Sequence, residues 1–154
     1  MPEVPIRAFI ASLVALCETG IGYEVLLLQR AQTLAGEWCQ IAGKFEDGET
    51  AWQAALHKLR EETGLKPDRF YSADICEQFY EPDRDAITMA PVFVAFVDAK
   101  AAVVLNDENT AYRWVSFDEA PDMVAFGGQW RILRWIREEF IERKPSGHML
   151  IEFQ

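Results

Sequence analysis

One segment of the sequence restricts the fold more than any other: it predicts a helix that begins after Thr50 and ends before Gly64. Thr50 is a good N-cap residue, and Gln53 three positions later completes a capping box. Gly64 suits the left-handed position that follows a helix, and Pro67 prevents the helix from continuing. One stripe of residues repeats with helical spacing: Trp52, Ala55, Leu56, Leu59 and Thr63. The helix is therefore expected to pack this face against a larger apolar surface.

Apolar runs on both sides of this helix predict β-strands. The runs Ile6–Cys17 and Tyr23–Gln29 predict a hairpin, because Gly20 and Gly22 between them can adopt positive φ. A polar loop is expected to follow, and then a short strand that Gly43 ends. The strands predicted after this hairpin are Trp38–Ala42, Phe70–Tyr80, Ile87–Val97 and Tyr112–Val115.

A second long helix is predicted for residues 128–142, with Trp130, Leu133, Ile136 and Phe140 facing inward. Strands before, between and after two helices indicate a mixed α/β sandwich. The chain has no internal repeat and no linker-like stretch, and its 154 residues suit one domain. We therefore expect a single domain over residues 1–154.

The first helix carries a second stripe beside its apolar one. Lys58, Glu61 and Glu62 stand at i, i+3 and i+4 and so share a face. Two carboxylates near a helix C-terminus are unfavourable, because that end already carries partial negative charge. A divalent cation such as Mg²⁺ would remove this conflict, since it prefers carboxylate oxygens. The alternative is that the two glutamates form only a solvated helix edge.

The segment from Gly43 to Leu65 resembles the Nudix box. That pattern is Gly, five residues, Glu, seven residues, and then Arg-Glu-aliphatic-x-Glu-Glu-x-Gly-aliphatic. The positions that match at this spacing are Gly43, Glu49, Leu59, Glu61, Glu62, Gly64 and Leu65. The resemblance implies a Nudix-type α/β/α sandwich with a mixed sheet between helices, and hydrolysis of a diphosphate bond.

Two box positions differ from the family pattern. His57 stands where the family has Arg, which usually pairs with the glutamate that Glu49 matches; a protonated His57 could replace that contact. Lys58 stands where the family has a third helix carboxylate for the metal or the attacking water. An ammonium cannot bind Mg²⁺, so weaker metal loading or the loss of one metal ion is expected. Lys58 could instead contact a substrate phosphate.

The resemblance extends outside the box. The stretch that ends at Arg30 resembles the family strand leading to an arginine near the substrate, and the stretch around Trp38 resembles the entry into the box. Glu108, followed by Arg113 and Trp114, resembles an element of the dihydroneopterin triphosphate and dATP pyrophosphohydrolase branch. In that branch the glutamate is a metal ligand or the catalytic base. An ordinary acidic loop residue is the alternative for Glu108.

Together these resemblances imply a Mg²⁺-dependent pyrophosphohydrolase, with Mn²⁺ as a substitute, that converts a nucleoside or pterin triphosphate to a monophosphate and pyrophosphate. The implied metal ligands are Glu61, Glu62 and Glu108, with Glu108 as general base. Arg30, Lys44 and Lys58 are candidates for phosphate binding. Trp38, Phe79, Tyr80 and Trp114 could stack on a base or pterin, or could belong to the core.

Two other functions remain open at this stage. A nucleoside diphosphate sugar or ADP-ribose contains the same diphosphate bond. Because Lys58 replaces a box glutamate, the chain could also be a nucleotide-binding Nudix-fold module that hydrolyses its ligand weakly. Hydrolysis by the natural protein and by Lys58→Glu would distinguish the enzyme from the binding module.

Composition excludes other classes of partner. The formal net charge of -10 argues against a nucleic-acid polymer or an anionic membrane as ligand, which need a basic surface. The run from Ala8 to Cys17 is too short to span a bilayer and is expected to be a buried strand. Three cysteines far apart in the sequence, Cys17, Cys39 and Cys76, favour a reducing cytoplasm. The expected partner is a small phosphorylated substrate, and both a monomer and a homodimer stay open.

Overall fold

The predicted first helix is present and is capped at both ends. The computed structural model describes residues 1–153 of the chain. In it, helix α1 (Ala51–Thr63) begins at the Thr50–Gln53 capping box. Gly64 has a φ of 72° and donates its backbone N–H to the Arg60 carbonyl, which ends the helix. Of the predicted stripe, Ala55, Leu59 and Thr63 are buried, and the other two residues are half-buried.

In residues 1–153, eight strands form one mixed sheet. Its continuous order is β1-β7-β2-β3-β4, with β5 paired to β2, β6 to β7 and β8 to β3. The pairs β1–β7 and β2–β7 are parallel, and the other pairs are antiparallel. The strands are β1 (Ile6–Arg7), β2 (Ile10–Thr19), β3 (Gly22–Arg30), β4 (Trp38–Cys39), β5 (Ile41–Lys44), β6 (Arg69–Glu81), β7 (Ala86–Val97) and β8 (Asn109–Ser116).

The sheet buries a core on each of its faces. Side chains of β2 alternate between the two faces, so Leu13 and Ala15 face α1 while Val14 and Leu16 face the C-terminal helical segment. That segment contains α2 (Ala120–Met123), α3 (Gly127–Ile136), a π-helical stretch (Arg137–Glu142) and a short 3₁₀ turn (Gly147–Met149). The α/β/α sandwich predicted from the sequence is confirmed. None of the helices in residues 1–153 is long and apolar enough to cross a membrane.

The short strand before α1 differs from the prediction. Gly43 does not end it; instead the strand breaks at Gln40 and resumes as β5, which extends through Lys44. At Gln40 the chain passes from pairing with β3 to pairing with β2, and the Gln40 side chain is buried in a hydrogen-bonded cluster described below. Gly43 keeps its place in the sheet opposite Ala11 of β2.

The last long helix also departs from the prediction. Leu133, Ile136 and Phe140 are buried as expected, but Trp130 is 40% exposed, so its inward assignment is wrong. Ile132 and Gln129 occupy the buried face instead, and Arg134 lies over the Trp130 ring at 5.3 Å. The predicted single helix is α-helical only to Ile136, after which it becomes π-helical.

Replacing Gly64 by Ala tests whether the end of α1 depends on its left-handed backbone. The added Cβ would meet only the Val104 side chain at 3.7 Å, so conformational strain dominates. We expect Gly64→Ala to lower the free energy of unfolding by about 1 kcal/mol. Urea unfolding measures this change. Gly20→Ala is the matched control, because Gly20 has open space around it and no positive φ. Equal stabilities for both variants would contradict the prediction.

Candidate active site

Glu62 lies at the base of the candidate site and is completely buried. Its Oε1 atom accepts a hydrogen bond from Asn109 Nδ2 at 2.9 Å, which links the end of α1 to the first residue of β8. Among residues 1–153, neither Glu62 Oε2 nor Asn109 Oδ1 has a hydrogen-bond partner. Buried acceptor oxygens without a partner are costly, so these two atoms mark a candidate position for a bound cation or other ligand.

The same burial changes the acidity of Glu62. Its pKa is raised from 4.5 to about 7, chiefly by burial, and the negative charge of Glu108 contributes to this rise. The hydrogen bond from Asn109 and the positive charges of Arg30 and Lys58 act in the opposite direction. Without a bound cation, the carboxyl is therefore partly protonated at neutral pH.

Strands β3 and β8 bring Arg30 and Glu108 to this carboxyl. Arg30 is the cross-strand partner of Asn109, after an irregularity in the register between Gln29 and Arg30. The Glu108 carbonyl accepts from the backbone N–H of Ala31 at 3.1 Å, and its own N–H donates to Asn106 Oδ1 at 3.1 Å. These bonds hold the loop before β8 next to the end of β3. The structure thus brings two residues that are distant in sequence to the buried end of α1.

Lys58 and Glu61 complete the cluster on the same helix. Lys58 Nζ lies 3.3 Å from Glu61 Oε2, and the Lys58 side chain is only 18% exposed. Partial burial alone would lower the pKa of Lys58, but contact with Glu61 and the charges of Glu108 and Glu62 hold it above its ordinary value. The lysine therefore contributes a positive charge inside a group of three carboxylates.

Gly43 gives Lys58 the room it needs. A Cβ atom added at Gly43 would overlap the Cγ, Cδ and Cε atoms of Lys58. The methylene chain of the lysine thus lies directly against the backbone of β5. A glycine inside a strand often marks such a close approach.

Glu49 and His57 hold the loop before α1 against the helix. Glu49 Oε1 accepts from the backbone N–H of Glu46 at 2.9 Å, and its Oε2 lies 3.4 Å from His57 Nδ1. His57 Nδ1 is also 3.8 Å from Glu46 Oε2, and its Nε2 is 3.8 Å from Glu61 Oε1. The structure thus places His57 between loop and helix, where the replaced arginine was expected to act.

Two groups of side chains could hold a cation. The carboxylates of Glu61, Glu62 and Glu108 surround Lys58 and supply oxygen ligands that suit Mg²⁺ or Mn²⁺, and the unpartnered oxygen of Glu62 fits such an ion. Within residues 1–153, however, the ligand atoms of these three residues do not all lie within 4.8 Å of one another. In the other group, ligand atoms of Glu46, Glu49 and His57 all lie within 4.8 Å of one another. Its imidazole nitrogen suits zinc or another transition metal better than Mg²⁺.

The other predicted binding residues are Lys44 and four aromatic side chains. Lys44 is exposed at the end of β5, and half-buried Trp38 packs with the core on the opposite face from α1. Trp114 is half-buried on the α1 side. Phe79 and Tyr80 are 41% and 52% exposed on β6, so a core position is wrong for both. Their binding roles stay predictions.

Sequence reasoning missed two sets of polar residues. Asn109 holds Glu62, and its position directly after Glu108 was the one available signal. Gln40 donates to Ser12 Oγ at 3.0 Å and to Glu77 Oε2 at 3.1 Å, and accepts from Gln129 Nε2 at 3.1 Å. Burial raises the pKa of Glu77, while its hydrogen bond to Gln40 acts against this. The Gln40 cluster ties β2, β6 and α3 together, and no sequence periodicity predicts it.

A groove of about 400 Å³ between the α2 region and α3 lies elsewhere on the molecule. It is lined by Trp130, Leu133, Arg134 and Arg137 among others, and by none of the predicted site residues. We therefore place the candidate active site at the buried oxygens of Glu62 and Asn109. The groove is not the candidate site, because it contains none of the predicted residues.

Comparison with known proteins decides the family. The model of the NUDIX domain matches residues 9–136 of the chain. The chain belongs to the Nudix family. This confirms the resemblance seen between Gly43 and Leu65.

Individual Nudix relatives agree in sequence or in fold. Mouse bis(5'-nucleosyl)-tetraphosphatase (asymmetrical) is 29% identical over 108 residues, which cover 67% of this chain and 71% of the mouse protein. A C. elegans Ap4A hydrolase structure has a TM-score of 0.73 at 21% identity, covering 88% of this chain and 96% of that chain. The E. coli dihydroneopterin triphosphate pyrophosphohydrolase has a TM-score of 0.65 at 20% identity, covering 91% and 99%. These two structures show the shared fold.

Two other curated relatives are much longer than this chain. The chain spans only 29% and 18% of the length of two curated relatives that it matches. The substrate therefore has to be argued from the site.

Replacing Glu62 by Gln tests the effect of burying this carboxyl. The pKa of Glu62 is about 7 in the folded chain, against an ordinary value of 4.5. Between these pH values the folded chain keeps the Glu62 proton more strongly than the unfolded chain does, so the free energy of unfolding falls as pH rises. In EDTA, Glu62→Gln should match the wild type near pH 4.5. At pH 8 its free energy of unfolding should exceed that of the wild type by about 1–3 kcal/mol. Urea unfolding over this pH range measures the difference.

Glu152→Gln is the matched control for this experiment, since it removes an exposed carboxylate outside the site. We expect it to change the free energy of unfolding at pH 8 by less than Glu62→Gln does. A Glu62→Gln variant that is less stable than the wild type at pH 8 would contradict the prediction.

Proposed function

We propose that this Nudix domain is a Mg²⁺-dependent pyrophosphohydrolase that cleaves a nucleoside or pterin triphosphate to a monophosphate and pyrophosphate. The observation that carries the proposal is Glu62, a fully buried carboxyl with one unpartnered oxygen, which lies with Glu61 and Glu108 around Lys58. A fully buried carboxylate does not fit the alternative of a solvated helix edge, because its charge is costly without a partner. A cation that also binds phosphate oxygens would supply that partner.

In this proposal the metal ligands are Glu61, Glu62 and Glu108. Bound Mg²⁺ or Mn²⁺ would offset the negative charge that develops on the phosphate oxygens. Asn109 keeps Glu62 in place through its hydrogen bond, so the carboxylate does not have to be ordered when the substrate arrives.

The hydrolysis needs one base and several positive charges. The oxygen of a water molecule forms a bond to phosphorus, the bridging P–O bond breaks, and pyrophosphate leaves with the bridging oxygen. Glu108 would accept the proton of the attacking water, since Lys58 stands where the family has another carboxylate. Arg30 at the end of β3 and exposed Lys44 at the end of β5 would stabilise the outer phosphates.

Dinucleoside polyphosphates are the second candidate substrate class. The observation that favours them is the match to mouse bis(5'-nucleosyl)-tetraphosphatase over 67% of this chain. Their polyphosphate chain would use the same carboxylates and cations. The two classes differ in the group attached to the phosphates, which would lie beyond Arg30 and Glu108.

We also propose that the protein works in the cytoplasm on a small soluble substrate. The support is that all three cysteines are free in the structure, with Cys17 buried and Cys76 exposed. A reducing compartment suits this pattern.

A substrate panel tests the proposed activity. We expect Mg²⁺-dependent release of pyrophosphate from at least one nucleoside or pterin triphosphate, while diadenosine tetraphosphate and ADP-ribose test the competing classes. Glu62→Gln and Glu108→Gln should each lower kcat by about 100-fold or more, because they remove a metal ligand or the base. Glu152→Gln, which changes an exposed glutamate outside the site, should leave kcat unchanged.

The panel also separates the enzyme from a binding module. Turnover by the wild-type protein excludes the binding module. The contradicting result is that the wild-type protein hydrolyses none of these compounds while Lys58→Glu hydrolyses at least one. That result would support a nucleotide-binding Nudix module instead.

A further inference from the structure

The position of Lys58 is determined by its surroundings. Its methylene chain lies against the backbone of Gly43, and that backbone is fixed by pairing with Ala11 of β2. At its end, Nζ contacts Glu61 at 3.3 Å. A lysine on an exposed helix face would be free to extend into solvent, whereas this one is held within the carboxylate group.

The charges in the site can be counted. Glu61, Glu62 and Glu108 supply three negative charges when ionised, and Lys58 supplies one positive charge among them. Exchanging Lys58 for the glutamate of the family pattern changes the local charge by two units. That is the charge of one divalent cation.

We propose that Lys58 is a tethered cation that takes the place of one divalent metal ion in this site. The chain itself supplies part of the positive charge that other members of the family would obtain from metal. The inference rests on the proposed function, because it concerns the same metal-binding carboxylates. It predicts that the natural protein binds one divalent ion fewer per chain than the same protein with glutamate at position 58.

Titration with Mn²⁺ tests this inference. Free Mn²⁺ is followed by electron paramagnetic resonance in the absence of substrate, so the readout does not depend on activity. We expect Lys58→Glu to bind one more Mn²⁺ per chain than the wild type. Lys58→Met removes the positive charge without adding a ligand. We expect it to bind the wild-type number of ions, at least about tenfold more tightly because the repulsion is gone.

Arg60→Glu is the matched control. Arg60 is an exposed residue on the same helix and undergoes the same reversal of charge, but it lies outside the carboxylate group. We expect it to keep the wild-type stoichiometry and to change the affinity by less than Lys58→Met does. Circular dichroism verifies that each variant is folded, and Lys58→Met still tests the proposal if Lys58→Glu does not fold.

Two results would overturn the inference. One is a wild-type stoichiometry in folded Lys58→Glu, and the other is an equal gain of Mn²⁺ in Arg60→Glu. If the wild-type protein nevertheless hydrolyses a triphosphate, the proposed function stands and only the role of Lys58 is wrong. If Lys58→Glu gains an ion but no variant hydrolyses any diphosphate compound, the tethered cation stands and the proposed function fails.

Discussion

The buried hydrogen bond between Asn109 and Glu62 is the contact on which the rest of the site depends. It joins the last turn of α1 to the first residue of β8 and leaves one carboxylate oxygen without a partner. Burial of an ionisable group without full compensation costs stability, and this site carries that cost in its metal-free form. A bound cation would reverse the balance, because it stabilises the same ionised oxygen that the protein interior disfavours.

This local arrangement explains how an acidic protein can bind phosphate. The net charge of -10 disfavours extended polyanions at long range. Within the site, however, the positive charges of Arg30 and Lys58 oppose the rise in the pKa of Glu62 that burial causes. Two cationic side chains therefore lie among the carboxylates, and a metal ion held by the glutamates would add further positive charge for the phosphates of a small substrate.

The sequence predicted what local rules determine. Capping residues and helical spacing predicted the bounds of α1 within one residue. The fixed spacing of residues from Gly43 to Leu65 predicted the Nudix family, which the family model confirms. Features that depend on tertiary contacts were missed or wrong. The strand breaks at Gln40, where side chains from three other elements meet, and Trp130 lies on the exposed face of α3. Asn109 could not be assigned a role until β8 and α1 were placed together.

Crystals of the protein grown with Mn²⁺ and a non-hydrolysable nucleotide triphosphate would test the central claim most directly. Anomalous scattering locates Mn²⁺ without reference to activity. The account predicts an anomalous peak within about 2.3 Å of Glu62 Oε2, with the phosphates on the side of Arg30 and Glu108. A nucleotide bound with Mn²⁺ only at Glu46, Glu49 and His57, and none at Glu62, would contradict it.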